Sequence, residues 1–270
     1  MKIKPEPHTL IWIRGAGEIG SATAVSLTKA GFNVILSEIN PPLAIRRSVT
    51  FSDAVIDGET SVAGILGKLI NIFQFDQTAH SDFIPVFIDE PENIHSLSPT
   101  ILIDARMIKS YDDDYRGWAK HVIGFGPGFI AKQNCHAVIE TMRGHNLGRI
   151  IYDGYPMENT DIPEPIGGQS KQRVLYAPSP GKLKWEVGFG DILETEQIMG
   201  FIGENVEVRS PFRGMVRGLI HPSVPMAAGL KIADVDPRGD EIDFNNLSDK
   251  ARSLGRAALE ASMIFMNKNP

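Results

Sequence analysis

The chain holds a single cysteine, Cys135, so no disulfide can form within it and its thiol content does not point to an oxidising compartment. Long hydrophobic runs are also missing. None approaches the roughly 20 apolar residues that cross a bilayer. The opening residues MKIKPEPHTL contain no apolar core of the kind a secretion signal needs, and a cytoplasmic protein is the expectation. Basic charge is not in excess. With 27 Lys and Arg against 33 Asp and Glu the formal charge is −6, which removes the general electrostatic motive for binding nucleic acid or an anionic membrane. No Cys-x-x-Cys or His-x-x-x-His spacing occurs, so no metal site is expected. A Gly-x-Ser-x-Gly elbow and a P-loop are absent as well.

What remains is an ordinary soluble composition, 42% apolar and 22% charged over 270 residues, enough for one large domain or two modest ones. The first half alternates short apolar strands with helical or polar segments. Strands are predicted at 10–13, 32–36, 84–88, 100–103 and 121–125. Between the first two lies Arg14-Gly15-Ala16-Gly17-Glu18-Ile19-Gly20, followed by a predicted helix over 21–30 that Gly31 stops. This is G-x-G-x-x-G in a strand–turn–helix context. Gly15 permits the tight turn, Gly17 lets backbone approach a pyrophosphate, and Gly20 lets the helix pack close. Glu38 lies 18 residues past Gly20, where an acid can hold a ribose hydroxyl, which favours NAD or another unphosphorylated ribose over NADP. Residues 1–155 therefore read as an α/β, Rossmann-like nucleotide-binding domain. The same glycines would also serve a turn that holds no ligand. Glu18 sits within the turn, where an acid repels phosphate or holds a sugar, a metal or a backbone amide.

Further anion contacts are readable along this half. Arg46 and Arg47 follow Pro41-Pro42 soon after the second strand, where they either face an anion at the sheet edge or form a solvated basic pair. Asp104 and Arg106 directly follow a strand, at the edge where α/β sheets place ligands, or simply pair with each other. Gly126 and Gly128 flank Pro127 after another strand and offer backbone amides to an anion. The apolar stretch 62–73 reads as a buried helix. Asp112, Asp113 and Asp114 are adjacent, so their side chains diverge and the run reads as a solvated loop.

The stretch from His121 to Arg149 concentrates chemistry-bearing residues: Cys135, His136, Glu140, Arg143 and His145. A thiol beside an imidazole suggests an activated nucleophile, but neighbours on a strand point to opposite faces, and the bland alternative is a small buried cysteine. The segment 136–142 is expected to pair with 147–152 through a turn at Gly144-His145-Asn146.

The second half differs. Residues 156–172 read as a Pro- and Gly-rich linker. Beyond them the sequence nearly repeats at an offset of 33, with Ala177–Leu183 matching Ser210–Val216. Residues 173–240 resemble the barrel-sandwich fold of biotinyl and lipoyl carrier domains. The hairpin that carries the modified lysine in those carriers is Ile202–Val208 here and has no lysine, so a carrier role is disfavoured and a docking role is not. Ser248 is a plausible N-cap for a final helix, and residues 241–270 are expected to pack back on the first domain.

Taken together the motifs resemble the accessory protein family of the selenium-dependent molybdenum hydroxylase system. The resemblance is carried by Pro42–Arg47, Gly126–Phe129, Asn134–Arg149, Gly229–Gly239 and Ser248–Arg252. Many relatives have Asp-Leu-Ala where this chain has Glu18-Ile19-Gly20. What the resemblance implies is a role in maturing or loading a molybdenum centre. The first half would hold NAD or the nucleotide part of a molybdenum cofactor, and Cys135 would carry sulfur or selenium. His136 or His145 would tune its thiolate, while Arg46, Arg47 and Arg143 would neutralise phosphates. A molybdenum hydroxylase or its maturation factors would be the protein partner, and self-association is left open. Two other readings stay open: an NAD-dependent oxidoreductase, and a non-catalytic scaffold that docks a molybdoenzyme.

Overall fold

The computed structural model describes residues 9–76, 82–110, 113–159, 167–169 and 171–267. Asp112, the linker residues 160–166 and 170, and the tail 268–270 lie outside the described residues. The chain divides into two compact units. Unit 1 comprises Met1–Asn40, Thr50–Thr160 and Leu247–Pro270, and unit 2 comprises Pro41–Val49 and Asp161–Asn246.

Unit 1 is built on a nine-stranded sheet. Its strands are β1 (Leu10–Arg14), β2 (Asn33–Glu38), β3 (Glu59–Val62), β4 (Ile65–Leu69), β5 (Phe83–Ile88), β6 (Ile101–Asp104), β7 (His121–Phe125), β8 (Ala137–Ile139) and β9 (Ile150–Ile151), in the order β3-β4-β5-β2-β1-β6-β7-β8-β9. The pairs from β4 to β8 are parallel, while β3–β4 and β8–β9 are antiparallel. All five predicted strands are present, and the central ones are buried on both faces, which is why they read as unbroken apolar runs. Leu10, Trp12, Ile35, Phe87, Leu102 and Val122 share one core with Tyr115, Phe129 and Cys135. Ile11, Ile13, Leu36, Ile103 and Ile123 alternate with them and point to the other face. The long helices α1 (Glu18–Lys29) and α4 (Asp249–Asn267) pack on each other and on strands of this sheet. They cross at Gly255, where an added Cβ would lie 2.7 Å from the Ala22 carbonyl oxygen. The short helices α2 (Ala54–Asp57) and α3 (Pro91–His95) complete the unit.

The stretch 62–73 is not a helix. Ala63 and Gly64 both take positive φ, at 50° and 79°, and turn β3 into β4. Gly67 then lies under the Phe51 ring, where a Cβ would come within 2.5 Å.

Unit 2 contains two small antiparallel sheets. β10 (Val174–Tyr176), β16 (Lys231–Asp236), β15 (Gly214–Leu219) and β12 (Ile192–Leu193) form one in that order, and β11 (Leu183–Trp185), β13 (Ile198–Ile202) and β14 (Val206–Arg209) the other. Leu183, Met199, Ile202 and Val208 from one sheet share a core with Val216, Leu219, Ile232 and Val235 from the other. Ile45 enters the same core, and its carbonyl accepts the Leu219 N–H at 2.8 Å.

This layout overturns the expected Rossmann-like domain joined to a barrel-sandwich module. A doubly wound sheet carries helices on both faces through its crossovers. Here only β1 to β2 crosses through a long helix, β5 to β6 has the five-residue α3, and no helix lies between β6 and β8 among the described residues. The segments after Asp104 and Phe125 lack a helical apolar period and are rich in Gly, Asp and Pro, so they cross as loops. The result is a large mixed sheet with an antiparallel pair at each margin. The second half is likewise two separate small sheets, with register shifts in β10–β16, β13–β14 and β15–β16. The 33-residue repeat carries β13 onto β16, yet the two strands belong to different sheets.

Candidate functional site

The glycine turn sits at the end of β1. Gly15 has φ 94°, and its N–H donates to the Ser37 carbonyl at 2.8 Å. An added Cβ at Gly20 would lie 1.9 Å from the Gly15 carbonyl oxygen, so the close helix–turn approach expected of the third glycine is real. A Cβ at Gly17 would meet nothing within 4 Å, and that position opens to solvent.

Glu38 ends β2 beside this turn. One carboxylate oxygen accepts the Ala16 N–H and the other the Ile39 N–H, each at 2.8 Å. Burial pushes its pKa up, against the two backbone donors that lower it; Asp89 adds to the rise. Glu38 thus braces the turn. Glu18 does not face a phosphate. It accepts the Ser248 N–H at 2.8 Å and ties the start of α1 to the start of α4. The Ser248 hydroxyl in turn accepts the Ala251 N–H, the N-cap bond predicted for it.

On the sheet face opposite α1 lies a network that the sequence reading missed. The Trp12 indole donates to Ser37 Oγ at 2.9 Å, and Ser37 donates to Asp89 Oδ1 at 2.7 Å. Arg14 Nε pairs with Asp89 Oδ2 at 2.9 Å. The Arg14 guanidinium also lies 5.6 Å from the Trp118 ring centre and 6.0 Å from that of Tyr115. The signal was available only as Arg14 and Asp89, two charges at the ends of otherwise apolar strands.

Asp104 and Arg106 pair with each other. The Arg106 backbone N–H and Nε reach Oδ1 at 3.1 Å each, and Nη2 reaches Oδ2 at 2.7 Å and the Tyr115 hydroxyl at 3.0 Å. Burial raises the pKa of the enclosed Asp104, and Arg106 opposes the rise. The same Asp-x-Arg ring recurs at Asp114–Arg116 and Asp236–Arg238. It is a building device of this chain.

Several expected contacts are corrected. Gly126 and Gly128 do not cradle an anion, because their N–H groups donate to the Ile139 and Ile108 carbonyls. Gly126 takes a φ of 86°, a Cβ at Gly128 would lie 2.5 Å from Ile108, and Phe129 folds under Gly124. Arg46 and Arg47 belong to unit 2, not to the edge of the large sheet. Arg46 is buried and donates to the Asn246 carbonyl, and Arg47 lies 5.8 Å over the Phe189 ring.

No family model matches the chain. Over 266 residues, 98% of its length, it is 41% identical to the Uncharacterized protein YqeB of Escherichia coli strain K12. The chain is YqeB-like. It spans about half the length, 49%, of that curated relative. Among solved structures it is similar to an aspartoacylase family protein from Mesorhizobium loti, at 12% identity over 86% of each chain and a TM-score of 0.28. A succinylglutamate desuccinylase/aspartoacylase from Rhodobacter sphaeroides gives 12% identity over 84% of this chain and 85% of that one, again with a TM-score of 0.28. Overlaps at that level carry no argument about this YqeB-like chain.

The motif Asn134–Arg149 of the YqeB-like chain is mainly architectural. Asn134 is buried; its Oδ1 accepts the Ile130 N–H and its Nδ2 donates to the Gly128 carbonyl. Cys135 is fully buried, and burial pushes its thiol up to about 12, although backbone N–H groups of Gly124 and Ala137 oppose the rise. A reactive thiol needs the reverse environment. His136 turns to the opposite face, where its Nδ1 accepts the Val122 N–H at 2.9 Å. Glu140 is buried and accepts the N–H groups of Met142 and Met157 at 2.6 and 2.7 Å. Arg143 pairs with Asp249 of α4 at 2.5 Å, and His145 is exposed on the turn between β8 and β9. These five residues do not converge on one reacting point. No helix among the described residues is long and apolar enough to cross a membrane.

Proposed function

We propose that this chain is a nucleotide-binding accessory protein of a molybdenum hydroxylase system, acting by holding a nucleotide and not by cysteine chemistry. The observation that carries the reading is the glycine turn: Gly17 open to solvent beside the Glu38 carboxylate at the end of the neighbouring strand. A carboxylate at that point accepts ribose hydroxyls and repels a 2′-phosphate, which supports an unphosphorylated ribose. The buried, high-pKa Cys135 argues against sulfur or selenium transfer through it. The link to a molybdenum hydroxylase rests on the motif resemblance.

The test is calorimetric titration of the whole chain with ADP, paired with Gly17→Val. Valine fits the extended φ of −64° and ψ of −176° and projects into open space, so thermal stability should hold. Binding should fall at least tenfold. Unchanged binding in the variant, or no binding by the natural chain at millimolar ADP, would overturn the reading.

A further inference from the structure

The segment Gly229–Gly239 has no role in the nucleotide reading, and it builds a charged interior in unit 2. Asp234 and Asp236 lie two residues apart on β16, so both side chains leave the sheet on the face opposite Val235. Val235 points into the core of the unit, yet the two carboxylates are buried as well. Three arginines cover them. Arg173 directly precedes Val174, the residue that pairs with Asp234, and its Nη1 donates to Asp234 Oδ1 at 2.8 Å. Arg217 Nη1 donates to Asp236 Oδ2 at 3.1 Å and lies 3.9 Å from Asp234 Oδ2. Arg238 closes its ring on Asp236. The backbone sets Arg217 in place. Val216 lies opposite Val235 and Gly218 opposite Asp234, so Arg217 is the extra residue of a bulge in β15, a device that re-aims a side chain. Gly218 leaves the space for it: a Cβ there would lie 3.1 Å from that of Asp234.

Two features exceed what holding the carboxylates requires. Three cations meet two anions, and the setting is largely enclosed, with 11% of the Arg217 side chain and 14% of the Arg173 side chain exposed. A surplus charge held out of water is costly unless an opposite charge joins it. Both guanidiniums also bind end-on. Each spends only Nη1, and the Nε–Nη2 edge makes no hydrogen bond among the described residues. That edge is the fork that grips an oxyanion through two parallel N–H bonds. Nε of Arg173 is buried without a partner. Arg14, Arg106, Arg116 and Arg238 instead set Nε on an aspartate, as a purely structural clamp does.

We propose that Arg173 and Arg217 form a binding site in unit 2 for the carboxylate of a small organic acid. One negative charge balances the surplus, whereas a doubly charged phosphate group would overshoot it beside Asp234 and Asp236. A planar carboxylate also matches the fork. The site is separate from the glycine turn and stands or falls independently of the nucleotide reading.

The test is an NMR titration of the full chain with sodium acetate at constant ionic strength, following the arginine Nε–H signals assigned through the backbone. The signals of Arg173 and Arg217 should shift saturably at millimolar acetate, while that of Arg14 stays in place. Sodium chloride should not reproduce the shifts. Arg217→Lys keeps the charge and loses the fork, so acetate binding read at the Arg173 signal should weaken at least fivefold. The titration of the natural chain decides even where that variant does not fold. No saturable shift, equal shifts with chloride, unchanged affinity in a folded Arg217→Lys, or tighter binding of inorganic phosphate than of acetate overturns the proposal.

Discussion

At the scale of single residues, the chain uses charged and polar groups mostly to fasten itself. Glu140 closes two loop segments, Glu18 joins two helices, and Asp104 is enclosed by Arg106. Cys135 fits the same pattern from the apolar side, packed in one core with Val122, Phe129 and Val138. Its thiol should therefore react with a disulfide reagent only as fast as the protein unfolds. Labelling kinetics across a denaturant series check this; rapid labelling of the native protein would show an accessible thiolate. Cys135→Ser places a hydroxyl in that core and should cost about 1–3 kcal/mol. At this scale the sequence was legible where local geometry decides. The turn glycines and the opposite facing of Cys135 and His136 could be read from spacing alone. The use of the Gly126 and Gly128 amides could not, because their acceptors, Ile139 and Ile108, are fixed by neighbouring segments of the fold. The Trp12–Ser37–Asp89–Arg14 network spans three strands, and no local pattern announces it.

At the scale of elements, the parallel strands and α1 were readable because burial on both faces and a glycine-bounded helix leave plain marks. The hairpin β3–β4 was not, since an apolar run with two glycines fits a buried helix until Ala63 and Gly64 are seen to turn the chain. The docking of α4 has a consequence for acid stability. Phe265 stacks on the His121 ring at 4.5 Å and meets the His136 ring edge-on at 6.5 Å, and the two imidazoles are 6.0 Å apart. Burial lowers both pKa values from 6.5; for His121 the other imidazole and Lys120 add to this, and for His136 Arg116 adds while Asp114 opposes. On the helix side, Glu260 acts on Tyr152, which also packs on Phe265. A depressed histidine pKa means that the unfolded chain binds protons first. The stabilisation is therefore complete above pH 6.5 and is lost as pH falls through the folded values. Protonating Nδ1 of His136 also removes the acceptor for the Val122 N–H. Denaturant midpoints should fall from pH 7 to pH 5, and His136→Asn, which keeps an acceptor but does not titrate, should flatten the profile. Equal slopes in both proteins would assign the acid sensitivity elsewhere.

At the scale of the whole molecule, the units are not consecutive pieces of chain. Pro41–Val49 leaves the first unit, contributes Ile45 to the core of the second, and is followed by Thr50 back in the first. Cutting the sequence at residue 173 therefore removes a core residue and the Ile45–Leu219 hydrogen bond. Ile45→Ala should destabilise unit 2 by about 2–5 kcal/mol, read as earlier exposure of β15 and β16 in hydrogen exchange. Protection in those strands unchanged from the natural protein would mean that Ile45 merely fills space. The helix α4 has a different consequence, one of timing. A ribosome delivers α1 early and α4 more than 200 residues later. All of unit 2 has emerged by then, while Glu18 still lacks Ser248 and the buried Ala22 face of α1 still lacks its cover. A half-made chain carries the glycine turn with its helix untethered, so synthesis through α4 is what completes the packing around α1, and a stalled nascent chain is the form most in need of a chaperone.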